Sequence, residues 1–246
     1  MLASGLLIFA LSEAGFQLGR RSGPPGDGHD PSFLMEGTAF TLLALLLGFS
    51  FSMALGRYDT RRVTVIREAN AIGTTYLRAE LLDESTAKAV RQNLRAYVAA
   101  RLAFAQADLQ PRQRAAADAD SARIQRTLWE LTDKSAHKDP HSTLVPLFAA
   151  ALNDTIGLST EQRAVLSNHI PDVVIVWLLT IAFIAAAMLG YGFGREGKRA
   201  LIFKGAFALM IALVFGLVLD LDRPQRGIIR VDLTPLYSLQ QTTGLQ

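Results

Sequence analysis

Two clusters of charged residues, and one run of hydroxyl and aromatic residues, carry whatever chemistry this chain has. Arg67, Glu68, Asn70 and Arg78 fall within "VIREANAIGTTYLRAELL", Val65 to Leu82, at spacings that suit ion pairs between neighbouring helix turns. Asp220, Asp222 and Arg223 precede Pro224 in "LDLDRP" and offer acidic partners to Arg67 or Arg78. Such a pairing would either dock the tail onto a helix base or line a charged vestibule at the inner mouth of a pore. The third feature is "LLLGFSFSMAL" with the residues before it. There Thr41, Ser50 and Ser52 either bond to carbonyls of their own helix or, with Phe49 and Phe51, line a constriction that has Glu36 at its outer mouth.

Other chemistries find little support. The P-loop, dinucleotide, Gly-x-Ser-x-Gly and His-Glu-x-x-His signatures are missing, so neither a catalytic constellation nor a cofactor is expected. His29 lies between Asp27 and Asp30 in a flexible acidic loop and reads as solvated. His137 and His141 have metal-like spacing, but Pro140 separates them and they lack an acidic third ligand, so no metal is expected. "GYGFG", Gly190 to Gly194, lacks the Thr-Val of a potassium filter and reads as a glycine-rich helix end. With no cysteine, disulfide and thiolate chemistry are excluded together.

The elements that must position these residues are membrane helices. Half of the 246 residues are hydrophobic and the mean hydropathy is +0.24, and the apolar residues are concentrated in long runs. Residues 173–193 form an uncharged run of the length needed to cross about 30 Å of hydrocarbon at about 1.5 Å per residue. Residues 201–219 carry only Lys204, placed to snorkel to an interface, and residues 37–55 carry no charge. Residues 2–18 are shorter and hold Glu13. They read as a retained first span with Glu13 turned to protein or water, with a signal peptide as the competing reading. A pI near 9.4 then reports topology rather than nucleic-acid binding. Arg57, Arg61, Arg62, Arg67, Arg223, Arg226 and Arg230 outnumber Arg20, Arg21, Arg195, Lys198 and Arg199, which places the middle region and carboxyl tail in the cytoplasm.

The expected fold is an all-α membrane protein: four transmembrane helices with a helical cytoplasmic domain between spans two and three. Its parts are a first transmembrane pair (1–56), the cytoplasmic domain (57–171), a second hairpin turning through "GREGKR" (172–220) and a polar tail (221–246). The second span continues as one long helix with a stripe through Val63, Ile66, Asn70, Gly73, Leu77 and Leu81. "DEST" breaks it, and Ser85 caps a helix whose apolar face is Val90, Leu94, Tyr97, Val98, Leu102 and Ala105. A charge-patterned helix runs from Gln113 to about Thr132, with Ile124, Leu128 and Leu131 on one side. A short helix follows from Leu144 to Ile156, and Ser159 caps another with Gln162 in the capping-box position.

The order of these pieces resembles the bacterial bestrophin-like domain family. "GFSFSMALGRYDTRR" and "VIREANAIGTTYLRAELL" precede a helical middle, and "LDLDRPQRGIIRV" follows the last span, so the resemblance reaches from the first span to about Val231. "REANAIGTxYLR" and "LDRPxxG" are its specific pieces. The resemblance implies a distant likeness to bestrophins, four-span pentameric chloride channels with cytoplasmic termini and a pore lined by the second span. It carries no pore residue across individually. The expectation is therefore a homo-oligomeric ion channel of the bacterial inner membrane whose partners are the bilayer, its own copies and a permeant inorganic ion, and not nucleic acid. Arginines from Arg57 to Arg62 favour anions, whereas Glu36, Asp220 and Asp222 favour cations, so selectivity stays open. The alternative is a non-conducting scaffold or sensor that binds a partner through its cytoplasmic helices.

Overall fold

The computed structural model describes residues 2–23, 31–106, 111–222 and 229–244, so His29, Arg223 and Arg226 lie outside the described residues. Among the described residues the structure is helical, with no strand. The helices are α1 (Leu2–Arg21), α2 (Pro31–Arg78), α3 (Glu84–Gln106), α4 (Pro111–Lys138), α5 (Val145–Ser167), α6 (Asp172–Arg195), α7 (Leu201–Asp222) and α8 (Thr234–Gly244). Among the described residues three stretches are long and apolar enough to cross a membrane: Leu34–Leu81, Val145–Arg195 and Leu201–Asp222. Two compact units emerge, Met1–Arg57 with His169–Arg223, and Tyr58–Asn168 with Pro224–Gln246.

In the first unit, α1 packs along α6 and α7. The α1–α6 approach is close enough to need glycine on both helices. A methyl group at Gly15 or Gly19 would strike the Ala187 or Tyr191 carbonyl, and one at Gly190 or Gly194 would strike the Ser12 or Phe16 carbonyl. The "GYGFG" run is thus a packing face and not only a helix end. Leu43 and Leu47 of α2 share a core with Ile8, Leu178, Ala182, Ala186, Ile211 and Phe215. Gly197, at φ 68°, makes the left-handed turn between α6 and α7.

In the second unit, the expected face of α3 is the core face: Val90, Leu94, Tyr97 and Val98 are buried with Ile124 and Leu128 of α4 and Phe148 and Leu152 of α5. Each such leucine contributes about 1.5–3 kcal/mol by leaving water. The α2 stripe is a correction. Val63, Ile66 and Leu77 are exposed, while Val65, Ala69 and Ile72 point inward. Two phases of apolar residue coexist on this helix, and only the one matched by α3 and α5 is buried.

Two helix boundaries also differ from expectation. Asp83, not Ser85, caps α3: its carbonyl accepts the first helical bond from Ala87 N at 2.8 Å, and its carboxylate accepts the Ser85 and Thr86 hydroxyls at 2.6 and 2.7 Å. Those hydroxyls hold the Asp83 carboxyl well below the usual carboxylate range. A depressed folded pKa means the contribution is present above the unfolded value of about 3.9 and fades as pH falls below it. Thermal melts of wild type and Asp83→Ala should accordingly stay separated from neutral pH down to about pH 4 and converge only in stronger acid. Convergence already at pH 6 would show that the carboxylate is not the cap.

The second difference is α5, one helix where two were expected. Ser159 does not cap a new helix, because its hydroxyl bonds back to the Ile156 carbonyl at 2.8 Å and accepts Gln125 Nε2 at 2.8 Å, both inside the packed core. The tail differs as well: it contains α8, whose Leu236 is fully buried in the second unit's core.

Candidate functional site

In the second unit α2 turns a polar ridge inward. Arg61, Thr64, Glu68 and Thr75 are buried on the same side as Val65 and Ile72. Glu68 meets Arg101 of α3, with Arg101 Nε 2.5 Å from Glu68 Oε1 and both side chains essentially without exposure. Arg101 Nη2 donates to Gln162 of α5, and its guanidinium stacks 4.6 Å from the Phe104 ring centre. Around this pair Gln125 donates to Tyr97 Oη at 2.9 Å, and burial pushes the Tyr97 phenol above its ordinary pKa. Thr75 Oγ1 lies 2.9 Å from the Ala151 carbonyl and 2.8 Å from Thr155 Oγ1. Two helices, α3 and α5, are thereby fastened to α2, and α4 to both of them, through polar contacts that hold only at one register.

Arg67 and Arg78 each have a partner on α5, within the second unit. Arg67 pairs with Glu161 at 3.0 Å, and Arg78 donates to the Leu147 carbonyl at 3.0 Å. Asn70 is exposed, and its carbonyl accepts the Thr74 hydroxyl. Asp222 is fully buried in the first unit, where it accepts the Ile170 N–H at 2.9 Å and faces His169 at 3.9 Å; Asp220 is half-buried. Arg67, Arg78 and Asp222 chose neighbours supplied by α5 and by the α5–α6 connection, which no helical spacing reveals.

In the first unit the six residues of the hydroxyl and aromatic run separate by face. Thr41, Phe49 and Ser52 are exposed on the side of α2 away from its core stripe of Leu43, Leu47, Ser50 and Ala54. Thr41 bonds to the Gly37 carbonyl at 2.8 Å. Ser50 is buried, Glu36 is half-buried with its carboxylate against Gly192, and Phe51 lines an apolar cavity of about 780 Å³ with Leu47, Phe203 and Phe207.

Sequence reasoning missed Arg101 and the pairing of Glu13 with Lys204. Lys204 does not snorkel. Its ammonium is fully buried, 2.5 Å from Glu13 Oε2 and 4.5 Å from the Phe16 ring centre. The sequence does carry a signal for Arg101, which occupies a core position of the same stripe as Leu94, Tyr97 and Val98. Among the described residues no group of histidine, aspartate and glutamate is placed to hold a metal ion.

Comparison with known proteins gives three findings. A family model described as the Bestrophin-like domain matches residues 35–236. No curated protein matches the sequence. Two mutant structures of a bacterial bestrophin homologue from Klebsiella pneumoniae match with TM-scores of 0.74 and 0.72 at 14% and 13% identity, covering 98% of this chain and 97% of theirs. A solved structure described as a membrane protein matches with a TM-score of 0.72 at 14% identity, over 98% of this chain and 96% of its own. At such identity the likeness is one of fold.

Proposed function

We propose, since this chain belongs to the Bestrophin-like domain family, that it is an oligomeric ion channel of the bacterial inner membrane. Four spans, α1, α2, α6 and α7, cross the bilayer, and the second unit with the carboxyl tail lies in the cytoplasm. Copies of α2 surround a central axis, and the face bearing Thr41, Phe49 and Ser52 turns toward it.

One observation carries this reading. Outside its uncharged stretch, in the second unit, α2 leaves Val63 51% and Leu77 68% exposed on the side opposite its core. Apolar side chains in that position need cover from other protein, and copies of the same helix around an axis supply it. The half-buried Glu36 and the buried Ser50 support the packing of the protomer in this arrangement, and Phe51 faces its apolar cavity. Arg67, Asn70 and Arg78 border the cytoplasmic vestibule. A pentamer is the assembly the family analogy favours.

Purified protein in planar bilayers should pass discrete currents, and Ser52→Leu or Phe49→Ala should change unitary conductance while Ser50→Ala, within the protomer, leaves it unchanged. An intact oligomer that is silent in every ionic condition would overturn the channel. A stoichiometric soluble partner bound by that silent oligomer would put the scaffold in its place.

A further inference from the structure

The second unit contains a cavity of about 360 Å³, within the range of small-molecule pockets, roughly 300–1,000 Å³. Two arginines line it, Arg61 of α2 and Arg230 of the tail, and among the described residues that line it none is acidic. Arg61 is buried, and its Nη2 donates to the Asn168 carbonyl at 2.8 Å, which fixes the direction of the guanidinium. Gln106, Gln162 and Tyr237 add amide and phenol groups, and Gln106 Nε2 donates to Tyr237 Oη at the edge of the cavity. The remaining wall is apolar, with Val65, Leu166 and Leu233 among it.

We propose that this cavity binds a small amphiphilic carboxylate, its head held by Arg61 and Arg230 and its apolar body packed against Val65, Leu166 and Leu233. A planar carboxylate suits guanidinium forks better than a spherical ion, and an apolar wall selects against a fully hydrated anion. Arg230, Leu233 and Tyr237 belong to the tail, whereas Arg61 belongs to α2 and Gln162 to α5. The bound acid therefore ties the tail to α2 within this unit. Gln162 also accepts the bond from Arg101, so the occupied cavity adjoins the buried pair that holds α2 in register.

The test is calorimetric titration of the intact, full-length oligomer with hexanoate, hexan-1-ol, hexylamine, inorganic phosphate and dodecanoate, and it needs no measurement of current. Hexanoate should bind saturably and slow hydrogen exchange across 229–244, while hexan-1-ol, hexylamine and phosphate should bind at least about tenfold more weakly. Arg230→Gln, at an exposed position, should lose about tenfold in hexanoate affinity. Leu166→Trp should fill the cavity and abolish binding. Equal affinity for hexylamine or phosphate would overturn the proposal. So would binding of dodecanoate alone, which points to a membrane-derived chain, or hexanoate affinity unchanged in both variants.

Discussion

Lys204→Met destabilises the protein by about 3–5 kcal/mol, because it removes the cation that Glu13 faces inside a bundle of apolar helices. Glu13→Gln does comparable damage by leaving the Lys204 ammonium, which has no exposure at all, against an amide and the Phe16 ring. The wild-type carboxylate is 26% exposed, so its loss falls at the lower end of that range. The double variant Glu13→Leu with Lys204→Met recovers most of the stability, since two apolar groups replace an ion pair whose desolvation offsets much of its attraction. Thermal unfolding of the purified protein, followed by circular dichroism, measures all three. Single variants as stable as wild type would mean that the pair does not form. If it does form, α1 is an integral member of the bundle, because Glu13 reaches Lys204 only from the position that Gly15 and Gly19 also occupy against α6.

Arg101→Met has the second large effect, again about 3–5 kcal/mol, because the Glu68 carboxylate then lies buried with its cation gone. Glu68 Oε2 already lacks a hydrogen-bond partner, so the loss of Arg101 Nε at Oε1 leaves nothing to hold the charge. Glu68→Gln costs less, since the buried guanidinium it leaves still donates to the amide oxygen and to Gln162 and lies against the Phe104 ring. Chemical denaturation of the full chain should lose stability in that order. On the channel reading, Glu68→Gln weakens the packing of α2 while the reversal potential in mixed salts stays where it was. A changed reversal potential with unchanged stability would make Glu68 part of the ion path instead of the scaffold.

The two cases differ in how much the residues announced beforehand. Glu13 is conspicuous as a charge in a short apolar run, and Lys204 as the one charge in a longer run, yet each run speaks only of its own helix. Their separation of 191 residues hides the pairing. Glu68 stood out in the same way, but Arg101 was absorbed into an amphipathic pattern that suits many surface helices. Ser159 shows the converse error. Its type, followed by Gln162, matches a capping box, but the packed surroundings offered its hydroxyl the Ile156 carbonyl and the Gln125 amide, and the helix ran on.

The amino-acid sequence by itself determined the helical class, the three bilayer-length apolar stretches, the apolar face of α3 and the family, because each is written in contiguous residues through periodicity, length or motif. Tertiary structure alone decided which face of α2 is buried, that α5 is continuous, and that Glu68 belongs to Arg101, Arg67 to Glu161 and Lys204 to Glu13. The physical reason is common to these cases. A helix with two usable faces, or a charge with several candidate partners, is settled only by the neighbour that excludes water from one of them, and that neighbour comes from a distant part of the chain.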